Sequence, residues 1–383
     1  MRRFRPLLLA GAVAGAAACS DQGPVASAPA SAGPAPLLAA APGQAVEGSY
    51  IVVLKPGADP RAVAAVAGVE PGYVYRAALS GFAAELGAGQ LAALRHNPAV
   101  EYVEQDQAVE ATAVPWGLDR IDQHNLPLNG LYNVSTLASN VNAYIIDTGI
   151  YTAHPLFGGR ASNVYDALGG TGADCNGHGT AIAGIVGSTT YGVAKGVKLK
   201  GVRALNCTGS GTTAGIIASV DWVRVNRVNP AVANISLGGS VSTALNTAVT
   251  NLVNSGVFTA VAVGNGGTNA CNTSPASAAG AYGVGASTPT DNVMSGTNYG
   301  SCLDIYAPGS SIPTTWLNGG TNTLSGSSMA TGHVTGVAAL YLAYNPGATS
   351  SAVASWITGN ATVGVLIGVP VGTANRLLYK ANL

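Results

Sequence analysis

Asp147, His178 and Ser328 each sit in a turn of small residues, within Ile145-Ile146-Asp147-Thr148-Gly149, Asn176-Gly177-His178-Gly179-Thr180 and Gly326-Ser327-Ser328-Met329-Ala330. A carboxylate, an imidazole and a hydroxyl are the groups that serine-based acyl transfer requires: a nucleophile, a base to take its proton, and an acid to orient that base. Their chain order is informative, because unrelated folds carry the same trio in different orders. Asn265 closes the apolar run Val261-Ala262-Val263-Gly264-Asn265. Its carboxamide can donate to an oxyanion, an interaction worth about 3 kcal/mol in the transition state.

The elements around these residues are legible from pattern. Apolar strand runs are expected at 141–146, 199–205, 232–237, 257–263, 282–286 and 303–306. Helices are expected between them, at 178–187, 212–229, 242–255 and 328–344. Continuous apolar strands alternating with helices predict an α/β fold with a buried, mostly parallel sheet covered on both faces. Ligands of such folds bind at the carboxyl ends of the strands, which is where Asp147 falls. Ser328 begins a helix, whose unpaired N–H groups suit an oxyanion. His178 stands between glycines, where a bound peptide could approach the backbone.

The remainder of the 383 residues divides by composition. Arg2, Arg3 and Arg5 precede the apolar run Leu7 to Ala18, which is too short for a membrane span and reads as an export signal over 1–19. Ala16-Ala17-Ala18-Cys19 fits signal cleavage and secretion, and less well a lipoprotein site at Cys19, since Ala16 replaces the usual leucine. Residues 20–47 are rich in Ala, Pro and Ser and are expected to form a flexible linker. Residues 48–110 alternate strands at 50–54, 82–86 and 100–103 with helices at 60–67 and 91–95, a pattern that predicts a small ferredoxin-like α+β module. Residues 111–383 form the large α/β domain.

Apolar residues make up 48% of the chain and charged residues 9%, with 17 basic balancing 17 acidic. That excludes a highly charged disordered chain, and the absence of a basic patch gives no reason to expect nucleic acid. Cys175, Cys207, Cys271 and Cys302 follow the signal, and an even number in an exported chain favours disulfides, with three pairings open.

The order Asp147, His178, Ser328 and the text of the three segments resemble the subtilisin family of serine endopeptidases, and its proteinase K branch in particular. Trp116-Gly117-Leu118-Asp119-Arg120-Ile121-Asp122-Gln123 and Asn298-Tyr299-Gly300-Ser301-Cys302 carry the likeness to aqualysin-like enzymes. The resemblance implies a subtilisin-like three-layer fold with the triad Asp147, His178 and Ser328 and the oxyanion donor Asn265. It implies that 48–110 is an inhibitory propeptide and folding aid. It also implies pairing of Cys175 with Cys207 and of Cys271 with Cys302. Gly209-Ser210-Gly211 and Ser236-Leu237-Gly238-Gly239 would be edge strands pairing with the substrate backbone, and Ala262-Val263-Gly264 would line the P1 pocket. Such an enzyme would be a secreted monomer with broad specificity, an apolar or aromatic P1 preference and no catalytic cofactor. Structural calcium is implied at Asp304, and at Asp119, Asp122 and Gln123, where Asn129 replaces a charged ligand.

Four departures stand out. Ala181 replaces a histidine in the first catalytic helix, and Val263 replaces an alanine, which implies a narrower P1 pocket. Gly266-Gly267 replace Asp-Asn after Asn265, implying a looser loop, and Gly332 replaces a proline, implying a less stable catalytic helix. Two other classes compete. An α/β-hydrolase esterase would have another residue order and a glycine at Ala330, and a silent binding scaffold would have no need of an intact triad.

Overall fold

The computed structural model describes residues 33–40, 45–108 and 114–383. The signal segment with Cys19, and residues 109–113, lie outside the described residues. The chain divides between Ala111 and Thr112 into two compact units.

In the first unit, strands Ala45–Leu54, Gly81–Glu85 and Val100–Gln107 and helices Pro60–Val66 and Ala88–Arg95 follow the expected alternation. A further strand, Tyr73–Tyr75, completes the sheet. Numbering these four strands by sequence, their spatial order is fourth, first, third, second, and all their pairings are antiparallel. This is the ferredoxin-like arrangement. Asp59 starts the first helix by accepting the Arg61 and Ala62 N–H groups, with Pro60 at the first helical position where its missing N–H costs nothing. Val52, Phe82, Leu94 and Val103 pack beneath the sheet as its core. The linker expectation needs correction at its end. Leu37–Leu38 pairs in parallel with Val103 and Glu104, Ala35 is buried, and residues 45–47 already belong to the first long strand.

The second unit is built on a nine-stranded sheet. Its strands are β1 (Asn142–Asp147), β2 (Ala161–Asp166), β3 (Lys198–Arg203), β4 (Ala231–Ile235), β5 (Phe258–Ala262), β6 (Tyr282–Ser287), β7 (Ile305–Pro308), β8 (Thr362–Val363) and β9 (Arg376–Leu377). The order is β8-β9-β7-β6-β5-β4-β1-β3-β2, and every pairing except β8 with β9 is parallel. Helices α1 (His178–Gly187), α4 (Ser327–Tyr344) and α5 (Ser350–Asn360) cover one face, and α2 (Thr213–Asn226) and α3 (Thr243–Asn254) cover the other.

The strands show why two layers of helix are needed. Along β1, Ala143 and Ile145 enter one core while Tyr144 and Ile146 enter the other, and all four are buried. A strand apolar on both faces is stable only when both are covered. From β1 the chain builds outward in both directions, through β3 to β2 and through β4 to β5. The carboxyl end of β1 is therefore at a topological switch point, and Asp147 is its last residue.

Two disulfides, Cys175–Cys207 and Cys271–Cys302, close loops of 32 and 31 residues, the pairing that the resemblance implied. Loops of this size contribute about 3–4 kcal/mol each in the chain-entropy account. The first bond also ties the turn before His178 to the segment before Gly209.

Candidate active site

Asp147 is wholly buried, and the Thr148 N–H holds its Oδ1 at 2.8 Å. His178 opens α1 with its ring 28% exposed, so it can face both the protein and a ligand. Its Nδ1 lies 2.8 Å from Asp147 Oδ1 and 2.9 Å from Oδ2. A carboxylate can only accept, so Nδ1 carries the proton and Nε2 keeps a free lone pair. Burial opposes a charge on this ring. The Asp147 charge and hydrogen bond, with the charge of Asp174, outweigh it and raise the imidazole above its usual 6.5.

Asp174 was not singled out by the sequence reading. Its Oδ1 accepts the N–H groups of Asn176 and Gly177, both at 2.9 Å, and its Oδ2 accepts the Thr180 N–H at 3.0 Å and the Thr180 hydroxyl at 2.6 Å. It thus fixes the turn that delivers His178. An aspartate four residues ahead of a histidine that starts a helix is the signal that could have found it.

The glycines beside His178 have a different role from the expected one. Gly177 has φ 109°, and a Cβ there would lie 2.5 Å from the Trp316 ring. A Cβ at Gly179 would lie 2.1 Å from the Gly149 carbonyl oxygen. Neighbouring protein, rather than an approaching peptide, requires glycine at both positions.

Ser328 is the second residue of α4, which begins one residue earlier than expected. At this position its own N–H has no intrahelical partner. Its hydroxyl donates to the Ser236 carbonyl at 3.2 Å, and the Ser236 hydroxyl donates to the Ser328 carbonyl at 3.1 Å. Asn265 lies beside this helix start. Its Oδ1 accepts the Ser327 N–H at 2.9 Å, which assigns the amide orientation and leaves Nδ2 free to donate.

Two cavities border these groups. One, of about 570 Å³, is lined by Thr148, His178, Gly209, Ser210, Gly211 and Ser236 through Gly238, among others. The second, of about 390 Å³, is lined by Ser236 through Gly239, Ala262 through Gly266, Thr268, Thr273, Asn298, Ser327 and Ser328. All the expected substrate-binding residues therefore lie on one of two adjoining cavities that share Ser236, Leu237 and Gly238. The edge-strand expectation needs a correction. Gly209–Gly211 form an irregular loop, with the Asn206 N–H bonded to the Ser210 carbonyl, and Ser236–Gly238 belong to no strand. Only Gly239–Ser240 pairs, with Thr273–Ser274.

The departures also find physical reasons. Val263 lines the second cavity, while its side chain is wholly buried and packs into the core. Ala181 is buried inside α1, and its carbonyl accepts the Thr314 hydroxyl at 2.7 Å. At Gly332 a Cβ would lie 3.0 Å from Ile185 Cγ2, so the missing side chain lets α4 approach α1 closely.

The oxygens implied as calcium ligands have other partners. Asp119 accepts the Gly130 N–H at 2.7 Å and the Asn129 N–H at 3.3 Å, and Gln123 Oε1 also accepts the Asn129 N–H, at 3.2 Å. Donor hydrogens thus point where a cation would sit. Asp122 is ion-paired with the buried Lys380 at 2.6 Å. This set does not fit calcium. Asp304 accepts only the Gly283 N–H, at 2.7 Å, and burial raises its carboxyl pKa, so a cation would relieve it. Among the described residues no three His, Cys, Asp or Glu side chains cluster to hold a metal.

Comparison with known proteins agrees with this architecture. Residues 139–376 match the family model described as the Peptidase S8 subtilase family, and residues 49–112 match the peptidase inhibitor I9 model. The chain belongs to the subtilase family. It is 47% identical over 395 residues to an extracellular serine proteinase of Thermus sp. (strain Rt41A), covering 94% of this chain and 95% of the relative. It is 42% identical over 360 residues to proteinase R of Parengyodontium album, covering 91% of this chain and 92% of that protein. A crystal structure of a cold adapted subtilisin-like serine proteinase superposes with a TM-score of 0.69 at 49% identity, covering 70% of this chain and 99% of that one. This subtilase is accordingly a serine endopeptidase with a subtilisin-like fold and an N-terminal inhibitor module.

Proposed function

We propose that this subtilase is an exported, self-maturing endopeptidase whose triad is Asp147, His178 and Ser328. The observation that carries the reading is the double contact of His178 Nδ1 with the buried Asp147 carboxylate, beside the same cleft that Ser328 and Asn265 border. Ser328 Oγ turns from the Ser236 carbonyl to His178 Nε2 as substrate binds. It attacks the scissile carbonyl while Nε2 takes its proton, and Asp147 stabilises the imidazolium. The Ser328 N–H and Asn265 Nδ2 hold the tetrahedral oxyanion. His178 then protonates the leaving amine, and water releases the acyl group by the same steps in reverse.

Substrate main chain lies between Gly209–Gly211 and Ser236–Gly238, so recognition is broad. The P1 side chain enters the second cavity, whose lining contains no charged side chain. Cleavage of casein is therefore expected after apolar and aromatic residues, as read by sequencing the products. Products ending mainly in lysine, arginine or aspartate would contradict this. Hydrolysis of short esters with casein left intact would favour the esterase reading instead.

Activity needs neutral His178, and its pKa is raised. The kcat/KM profile is expected to fall as pH drops through a midpoint above 6.5, and Asp174→Asn to move that midpoint downward. The charged His178–Asp147 pair contributes stability fully below the unfolded-state value and loses it as pH rises through the folded one. Over that window activity therefore gains what stability loses. A midpoint below 6.5 would contradict the proposed electrostatics.

Residues 48–110 act as the intramolecular inhibitor, with self-cleavage near Glu110–Ala111, and the mature enzyme works as a monomer. The arginine-led signal and the extracellular relative support export. The mass of the exported precursor's N-terminus separates cleavage after Ala18 from lipidation at Cys19. We assign structural calcium to Asp304 alone. Calcium is expected to raise Tm in the wild type and not in Asp304→Asn, by up to about 2.7 kcal/mol of stability at a hundredfold excess over Kd. An equal rise in both would place the ion elsewhere.

A further inference from the structure

The loop carrying Asn265 supplies little stiffness of its own. Three of the four residues Gly264–Gly267 are glycine, with φ 98° at Gly264 and 64° at Gly267. Glycine leaves the unfolded and folded chain more freedom than any other residue. An oxyanion donor, by contrast, must be held within about 0.5 Å of its productive position.

One buried side chain supplies the missing order. Asn298 is 2% exposed, and its amide reaches the loop on both sides of Asn265. Its Nδ2 donates to the Val263 carbonyl at 2.7 Å. Its Oδ1 accepts the N–H groups of Gly266 and Thr268, each at 3.0 Å, and the Thr268 hydroxyl at 3.3 Å. Its own backbone N–H donates to the Gly264 carbonyl at 3.0 Å. A Cβ at Gly264 would lie 2.7 Å from Asn298 Nδ2, so the loop and the amide are fitted to each other. No hydrogen bond joins Asn298 to the Asn265 side chain. Its influence runs through the backbone at 263, 264, 266 and 268.

We propose that Asn298 is the positioning residue of the oxyanion site, fixing the glycine-rich loop so that Asn265 Nδ2 faces the developing charge. This rests on the reading of Asn265 as the oxyanion donor. A carboxamide is required because one group must donate to Val263 and accept from Gly266 and Thr268 together. The substrate ground state carries no oxyanion, so loss of this order acts on kcat more than on KM.

The test uses the mature enzyme, with kcat expressed per active site titrated to completion by a fluorophosphonate, so that only folded enzyme is counted. Asn298→Ala is expected to lower kcat about 10- to 100-fold with KM within about threefold, the scale of a small misplacement of a catalytic group. Asn298→Asp keeps the shape and both N–H acceptors but loses the donor. Its kcat is expected to lie between wild type and Asn298→Ala, and it carries the comparison if Asn298→Ala yields no titratable enzyme. In an Asn265→Ala background neither substitution is expected to lower kcat further.

Wild-type kcat in both Asn298 variants would overturn the inference, as would losses that simply multiply with that of Asn265→Ala. Those outcomes leave the oxyanion role of Asn265 standing. Wild-type kcat in Asn265→Ala alone would instead remove that role, and the positioning role of Asn298 with it.

Discussion

Ser328→Ala is expected to lower kcat for peptide hydrolysis about 10⁶-fold, a size taken from the equivalent substitution in subtilisin itself. The loss removes the hydroxyl that stands at the helix start beside Asn265 and lines the cavity adjoining the one His178 borders. Ser327 precedes it but cannot substitute, because it is 1% exposed and its Oγ accepts the Gly264 N–H at 3.2 Å. The variant should fold, since Ser328 contributes one exchangeable hydroxyl bond to a carbonyl. Residual hydrolysis above the water rate is expected from the oxyanion donors alone. A loss below about 10²-fold, with fluorophosphonate still incorporated, would point to another nucleophile.

Asp147→Asn is expected to lower kcat about 10⁴-fold with little change in KM, the effect of this replacement in another serine protease. The geometry gives the reason. Both carboxylate oxygens lie within 2.9 Å of His178 Nδ1, and Oδ1 also accepts the Thr148 N–H. An asparagine that keeps its oxygen on Thr148 turns its NH₂ toward Nδ1. The imidazole then places its proton on Nε2, where it cannot accept from Ser328. The substitution is nearly isosteric within a wholly buried site, so thermal denaturation should show a folded protein. A loss under about tenfold in kcat would mean that Asp147 does not set the tautomer.

These two residues were legible because their surroundings are simple. Asp147 is the last of six buried strand residues, and Ser328 stands at the start of an apolar helix, so periodicity marks both places. The helix at 178–187 is legible to its ends for the same reason. Strand β2 is not legible in the sequence, because Ala161–Asp166 is a half-exposed edge strand with mixed polarity, which carries neither a continuous apolar run nor strict alternation. Tyr73–Tyr75 and Leu37–Leu38 are too short to show any period. The site's supports were illegible for another reason. Asn298 binds backbone groups some 30 residues away in sequence, and only the folded loop reveals what its amide joins. Val263 shows the converse, since a side chain beside the pocket in sequence points into the core.

The calcium residues show how far pattern can mislead. Asp119, Asp122 and Gln123 keep the residue types, yet their oxygens are taken by the Asn129 and Gly130 N–H groups and by the Lys380 ammonium. Ligand identity was readable, whereas the competition for each lone pair was not.

The most direct test of the central claim is the intact mass of purified precursor over time, for the wild type and for Ser328→Ala. The account predicts that the wild type separates near Glu110–Ala111 into an inhibitor fragment and an active enzyme, while the variant remains full length. Cleavage of purified Ser328→Ala at the same place and rate would contradict it.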